Sequence, residues 1–179
     1  LVHLYHHPDV VAVVVVSDDN RRLLVEGCGV NSRNVFLLLN GIDSDLFYPP
    51  AIKARRIVYL ERKHVHHARA VEFMASQRSS LSSYSFHSLG RISHEVMARE
   101  LRDSLVFLSC GHPEGFGLPL AEAIACGCIV VGYHGLSGRD FCSSALHSVE
   151  FGDLLGFVNT LDQVLQEFNQ DIPSGAEKL

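Results

Sequence analysis

Two hydrophobic periods alternate along this chain. Short apolar runs are separated by stretches in which apolar residues return every three or four positions. The runs Val10 to Ser17, Val35 to Leu39, Arg56 to Leu60, Tyr84 to Leu89, Leu105 to Ser109 and Cys128 to Val131 read as strands, with a weaker one at Ser148 to Phe151. Helices are predicted at Asp18 to Glu26, at Val65 to Gln77, from Ser93 to Arg102 and at Leu118 to Cys126. A last helix follows Asp153, with the stripe Leu154, Val158, Leu161, Leu165 and Phe168 at core-facing spacing. Ser17 or Asp18, Ser93 and Asp153 supply side chains suited to N-caps.

Strands that alternate with helices imply a parallel, doubly wound α/β sheet. Pro49-Pro50 and the polar residues Ala51 to Arg55 read as a linker. After it, a unit of about five strands is expected, with a Ser-rich loop at Ser79 to Ser83. Gln170 to Leu179 reads as a frayed tail.

Composition narrows the class. The hydrophobic fraction of 47% supports a core, and the net charge of −5 with no basic run argues against nucleic acid. No apolar stretch approaches the length of a membrane span, and no signal-peptide pattern stands out. Leu1 is not an initiator Met, so the chain reads as a fragment or a processed product. Five cysteines at irregular spacing do not form a disulfide framework, which fits a reducing cytoplasm. Cys126 and Cys128 straddle a helix stop and a strand start, as packing residues would. His64, His66 and His67, like His6 and His7, lack a Cys or carboxylate partner at a recognisable ligand spacing, so no metal site is expected.

The stretch His112 to Gly127 carries the chemistry. Glu114 and Glu122 bracket seven residues, which form a Gly-Phe-Gly turn and the start of a helix opened by Pro119 and ended by Gly127. A strand–loop–helix corner of this kind sets backbone N–H groups and a helix N-terminus beside one carboxylate, with a second carboxylate inside the helix. It suits an anion ringed by hydroxyl groups.

Glu114, Gly115, Phe116, Gly117, Leu118, Pro119, Glu122, Ala123, Cys126 and Gly127 resemble the glutamate–seven–glutamate signature of GT-B glycosyltransferases of the group 1 (GT4-like) family. Asn40-Gly41-Ile42-Asp43 with Phe47 and Pro49 resembles that family's connection between its two domains. Leu89-Gly90-Arg91 with Ser93 resembles its base-facing loop, and Gly132 to Arg139 its glycine-rich loop. The resemblance runs over roughly residues 11 to 170 and is dense from 89 to 141.

The resemblance implies a Rossmann-like sheet forming the C-terminal half of a GT-B architecture. Residues 1–50 would be a remnant of the N-terminal domain with the interdomain connection, and 51–179 the nucleotide-sugar-binding domain. It implies a catalytic role for Glu114, facing the donor sugar, and ribose recognition by Glu122. The amides of Phe116, Gly117 and Leu118 would contact sugar or phosphates, Gly115 would belong to the same donor-binding turn, and Arg91 would approach the base. Arg62 and Lys63 stand where the family carries phosphate ligands, but they are adjacent, and Glu61 replaces the usual Gly. They read equally as an exposed basic pair. His112 and His134 are the histidines nearest the corner, without an assigned catalytic role.

The activity so implied is transfer of a sugar from a nucleotide diphosphate sugar to an acceptor hydroxyl, without metal or other cofactor. The partners would be the nucleotide sugar, a glycan or lipid-linked acceptor, and a domain or chain supplying the acceptor half. The place would be the cytoplasm or the cytoplasmic face of a membrane. Alternatives are a non-catalytic nucleotide-sugar-binding subunit, a degenerate structural relative and a sugar-nucleotide epimerase.

Overall fold

The computed structural model describes residues 2–171 except Ser143. Two parallel sheets are present among them. The smaller pairs β1 (Val13–Val15) with β2 (Val35–Leu37). The larger contains β3 (Ala54–Leu60), β4 (Ser85–Leu89), β5 (Ser104–Ser109), β6 (Ile129–Gly132) and β7 (Leu146–Ser148) in the order β4-β3-β5-β6-β7. All four neighbouring pairs are parallel.

Alternation along β3 explains the double winding. Ile57 and Tyr59 enter one core with Ala68 and Val71 of α2 (Val65–Ser76) and with Phe157, Leu161 and Leu165 of α5 (Leu154–Asp171). Val58 enters the opposite core with Met97 and Leu101 of α3 (His94–Asp103) and Leu120 and Ala123 of α4 (Leu118–Ala125). β5 lies at the centre of the sheet and is buried along all six residues. Full burial of a residue such as Val106 contributes about 1.5–3 kcal/mol relative to exposure. This is a Rossmann-like, doubly wound parallel α/β fold.

Several element edges differ from the sequence reading. The last strand is Leu146–Ser148 rather than Ser148 to Phe151, because it pairs with Val130–Gly132, and Phe151 instead packs on histidine rings. The linker is shorter than read. β3 already begins at Ala54, and Lys53 Nζ donates to the carbonyls of Leu101, Arg102 and Ser104 at 2.8–3.0 Å. The first helix, α1, is α-helical only over Asp18–Arg22, capped by Ser17, and widens into a π turn over Leu23–Gly27. Phe73 lies on the solvent face of α2, 69% exposed. Helix α5 continues to Asp171, so the tail does not start at Gln170, and residues 172–179 of that tail lie outside the described residues. Asp153 accepts the Gly156 amide at 2.8 Å and caps α5 as expected. All five cysteines are free, and Cys126 and Cys128 pack in the core.

The small sheet is unevenly covered. Val15 and Val35 pack with Leu24 and Val30, whereas Val11, Val14, Phe36, Leu38 and Leu39 remain exposed. Its helix reaches the larger unit through Asn20 Nδ2, which donates to Gly115 O at 3.2 Å, and the Asp18 amide, which donates to Asp140 Oδ2 at 2.7 Å.

Candidate functional site

Strand order locates the site. In chain order the five strands of the large sheet run 2-1-3-4-5, so the winding reverses between β3 and β5. Open α/β sheets bind ligands outside the carboxyl ends of the strands at such a reversal. The segment after β3 carries Arg62 and Lys63, and the segment after β5 carries Glu114. Residues 52 apart in sequence therefore meet.

They meet as an ion pair. Arg62 Nη2 lies 2.9 Å from Glu114 Oε1, and Lys63 Nζ lies 2.9 Å from Glu114 Oε2. Lys63 Nζ also donates to the Pro113 carbonyl. The Glu114 side chain is only 14% exposed, while Arg62 and Lys63 are 51% and 41% exposed. The two cations thus compensate a largely desolvated carboxylate and keep open surface of their own.

The backbone around Glu114 is built for close approach. Its amide donates to Gly135 O at 2.9 Å, joining the loop after β5 to the loop after β6. Gly135 has φ +65°, and a Cβ there would meet Gly111 O at 3.0 Å and the Glu114 side chain at 3.1 Å. A Cβ on Gly111 would meet Glu114 Oε1 at 2.6 Å. Both glycines are required by the carboxylate they enclose.

Gly117 then opens α4 at φ +90°, a conformation that glycine adopts without steric cost. Among the described residues, the amides of Phe116, Gly117 and Leu118 have no hydrogen-bond partner. They form the unsatisfied N-terminal donors of α4. Ser137 Oγ fixes the turn by donating to Phe116 O at 2.9 Å, and Phe116 stacks on Phe141 with centroids 4.8 Å apart.

Glu122 lies on the second turn of α4 and is 5% exposed. Its Oε1 is 2.9 Å from Nε2 of His94, the first residue of α3. Phe47 packs against the His94 ring with centroids 4.8 Å apart. His94 is absent from the sequence reading. The available signal was its place directly after the Ser93 cap, where α3 begins beside α4.

A cleft of about 690 Å³ runs between these parts, lined by Arg62, Gly90, Arg91, His94, Pro119 and Glu122 among others. A smaller recess of about 30 Å³ adjoins it, bordered by Arg62, Lys63, Glu114, Gly117 and His134. Arg62, Lys63, Arg91, Glu114, Gly117 and Glu122 therefore line one continuous region, and Gly115, Phe116 and Leu118 form the turn within it. The cleft has the size of a small-molecule site.

Both nearby histidines are shifted toward the neutral form. Burial, then the charge of Arg139, push His134 below its ordinary value, and its Nδ1 accepts the Leu136 amide at 2.9 Å. Burial also lowers His112, whose ring stacks on Phe151 at 4.3 Å. Arg139 closes its turn through its amide, which donates to Leu136 O at 3.2 Å. Burial pushes the Cys110 thiol up to about 12, so it is not a nucleophile near neutral pH.

Residues 81–143 match the family model described as glycosyl transferases group 1. Over that segment the chain is similar to the group 1 glycosyltransferases. The matched segment contains β4, β5, α4, β6 and the whole Glu114–Glu122 corner. A relative in Actinobacillus pleuropneumoniae serotype 7 (strain AP76), an alpha-1,6-glucosyltransferase, is 26% identical over 137 residues, covering 68% of this chain and 39% of that protein. The structure of an S. aureus TarM mutant in complex with fondaparinux, alpha-GlcNAc-glycerol and UDP superposes with a TM-score of 0.73 at 15% identity, covering 87% of this chain and 37% of that one. Sucrose-phosphate synthase from Thermosynechococcus elongatus gives 0.68 at 22% identity, covering 93% and 51%. The chain spans about two-fifths of the length of this glucosyltransferase relative.

Proposed function

We propose that this chain is the donor-binding part of a glycosyltransferase that uses a nucleotide diphosphate sugar. The carrying observation is the convergence of Glu114, Arg62 and Lys63 at the sheet reversal, beside a cleft lined by Glu122.

Each group has a task. Glu122 accepts hydrogen bonds from the ribose hydroxyls, with His94 holding one of its oxygens. Arg91 borders the base end of the cleft. Arg62, Lys63 and the free amides of Phe116, Gly117 and Leu118 face the diphosphate, whose negative charge grows as the sugar departs. Glu114 grips hydroxyls of the sugar and is the catalytic carboxylate at the reacting end. Cationic side chains and the α4 N-terminus supply the charge compensation, so the step needs no metal at the diphosphate.

We assign residues 1–50 to the remnant of a first domain and 51–179 to the donor domain. The exposed apolar residues Val14, Phe36, Leu38 and Leu39 support a further domain or chain packing on the small sheet and carrying the acceptor site. The acceptor would be a glycan or lipid-linked hydroxyl. Among the described residues no helix is long and apolar enough to cross a membrane. Five free cysteines fit work on the reducing, cytoplasmic side.

Calorimetry with a panel of nucleoside diphosphates and their sugars tests the proposal. Weak saturable binding of at least one ribonucleotide is expected. No heat with any of them, from chain shown to be folded, would overturn it.

A further inference from the structure

Outside the donor corner, the start of α2 gathers three imidazoles. His64 is the left-handed residue before the helix, at φ 50°, and His66 and His67 lie in its first turn. One ring nitrogen from each of the three lies within 4.8 Å of the others. From these rings we propose a binding site for a borderline divalent transition metal, Zn²⁺ foremost, with His64, His66 and His67 as ligands and water completing the shell.

The ligand chemistry is consistent. Imidazole suits zinc, copper and nickel, and three histidines with a water is an established open zinc geometry. Tetrahedral ligands at about 2.0–2.1 Å from zinc stand roughly 3.3 Å apart. The rings therefore need to close by at most about 1.5 Å, which rotation of their side-chain torsions supplies.

Their outer partners carry the argument further. Metal-bound histidines hold their second ring nitrogen against a carbonyl or another polar group, which fixes the ring. His64 Nε2 is 2.7 Å from the His112 carbonyl, leaving Nδ1 as the ligand atom. His67 Nδ1 is 3.0 Å from the Tyr133 hydroxyl, leaving Nε2. That hydroxyl is itself fixed, accepting the Gly152 amide at 3.2 Å. Phe151 closes one side, its ring 4.9 Å from His64 and 5.7 Å from His67. His66 is exposed and leaves an entry path.

A metal here would tie the start of α2 to the loops after β5 and β6 and steady the segment that bears Arg62 and Lys63. It would do so without sharing a ligand with the donor corner.

The test uses the purified chain stripped with a chelator. Zn²⁺ is titrated against a chromophoric competitor, and Co²⁺ serves as a spectroscopic probe. One Zn²⁺ per chain and a visible Co²⁺ band of tetrahedral intensity are expected. His66→Ala, at an exposed position, should weaken Zn²⁺ by at least about tenfold and abolish the band. His147→Ala, at an exposed histidine elsewhere, should change neither. Zn²⁺ should also raise the Tm of the parent chain but not of His66→Ala. No stoichiometric binding, or equal Zn²⁺ affinity in the parent and His66→Ala, overturns the proposal.

Discussion

His94 Nε2 stands 2.9 Å from Oε1 of Glu122, joining the first residue of α3 to the second turn of α4 beside the cleft. Among the described residues, His94 is the one side chain that hydrogen-bonds this buried carboxylate. Glu122→Ala should weaken ribonucleotide binding by about 1.5–3 kcal/mol, the range for hydrogen bonds to a charged group. The loss should shrink for a deoxyribose analogue. His94→Ala should cost less, and the two changes together should be non-additive by at least about 0.5 kcal/mol. Calorimetry on the double-mutant cycle checks this. Strict additivity would show that His94 does not position Glu122.

Glu114 is ion-paired with Arg62 and Lys63, so under the proposed donor role it would compete with phosphate for both cations. Glu114→Gln removes that competitor and keeps the side-chain shape. Affinity for a bare nucleoside diphosphate should rise about two- to fivefold, equivalent to the roughly 0.4–1 kcal/mol that a partly exposed ion pair contributes. The extra affinity conferred by an attached sugar should fall. Parallel titrations with diphosphate and diphosphate sugar measure both. A drop in diphosphate affinity would mean that the ion pair assembles the phosphate site rather than opposing it.

Acid should loosen the corner before it unfolds the rest. His134 and His112 have folded values below the ordinary 6.5. As pH falls through the unfolded value, the unfolded chain takes up protons first, so stability falls with falling pH. The contribution is complete above about pH 6.5 and is lost progressively below it. Thermal melts in chelator between about pH 5 and 7 should show Tm rising with pH. His134→Gln should flatten that slope, because no imidazole remains at this position to take up a proton and lose the bond from the Leu136 amide. An unchanged slope would count against His134.

Lys53 holds the far end of α3. Its ammonium serves three carbonyls at the helix C-terminus, where a cation also opposes the helix dipole. Lys53→Met keeps the stem and removes the donors, and should destabilise the fold by about 1.5–3 kcal/mol. Urea denaturation reads this. A change below about 0.5 kcal/mol, the usual limit for a surface substitution, would assign Lys53 to an ordinary surface site.

How legible all this was depends on range. The strands around Ile57, Val106 and Val130 were legible because continuous burial leaves an unbroken apolar run. The Glu114–Glu122 corner was legible because its turn glycines, helix-opening Pro119 and stopping Gly127 lie in one segment. What escaped was set by tertiary contact. Lys53 reads as a polar linker residue until α3 ends above it. His94 looks like any first-turn residue until α4 brings Glu122 beside it. The pairing of Arg62 and Lys63 with Glu114 depends on strand order, which local periodicity does not encode. The last strand was misplaced because Ser148 to Phe151 carries as much apolar character as Leu146–Ser148, and only pairing with β6 chooses between them.

The central claim is that the Glu114–Glu122 corner holds a nucleoside diphosphate, and its most direct test is a map of where one binds. Backbone amide chemical shifts of the labelled chain should be followed as the tightest-binding nucleoside diphosphate is added. The account expects saturable shifts at Arg62, Lys63, Gly115 to Leu118, His94 and Glu122, with Arg78 and Asn159 on the α2–α5 side unmoved. Shifts confined to any other surface, or none with any base, would contradict it.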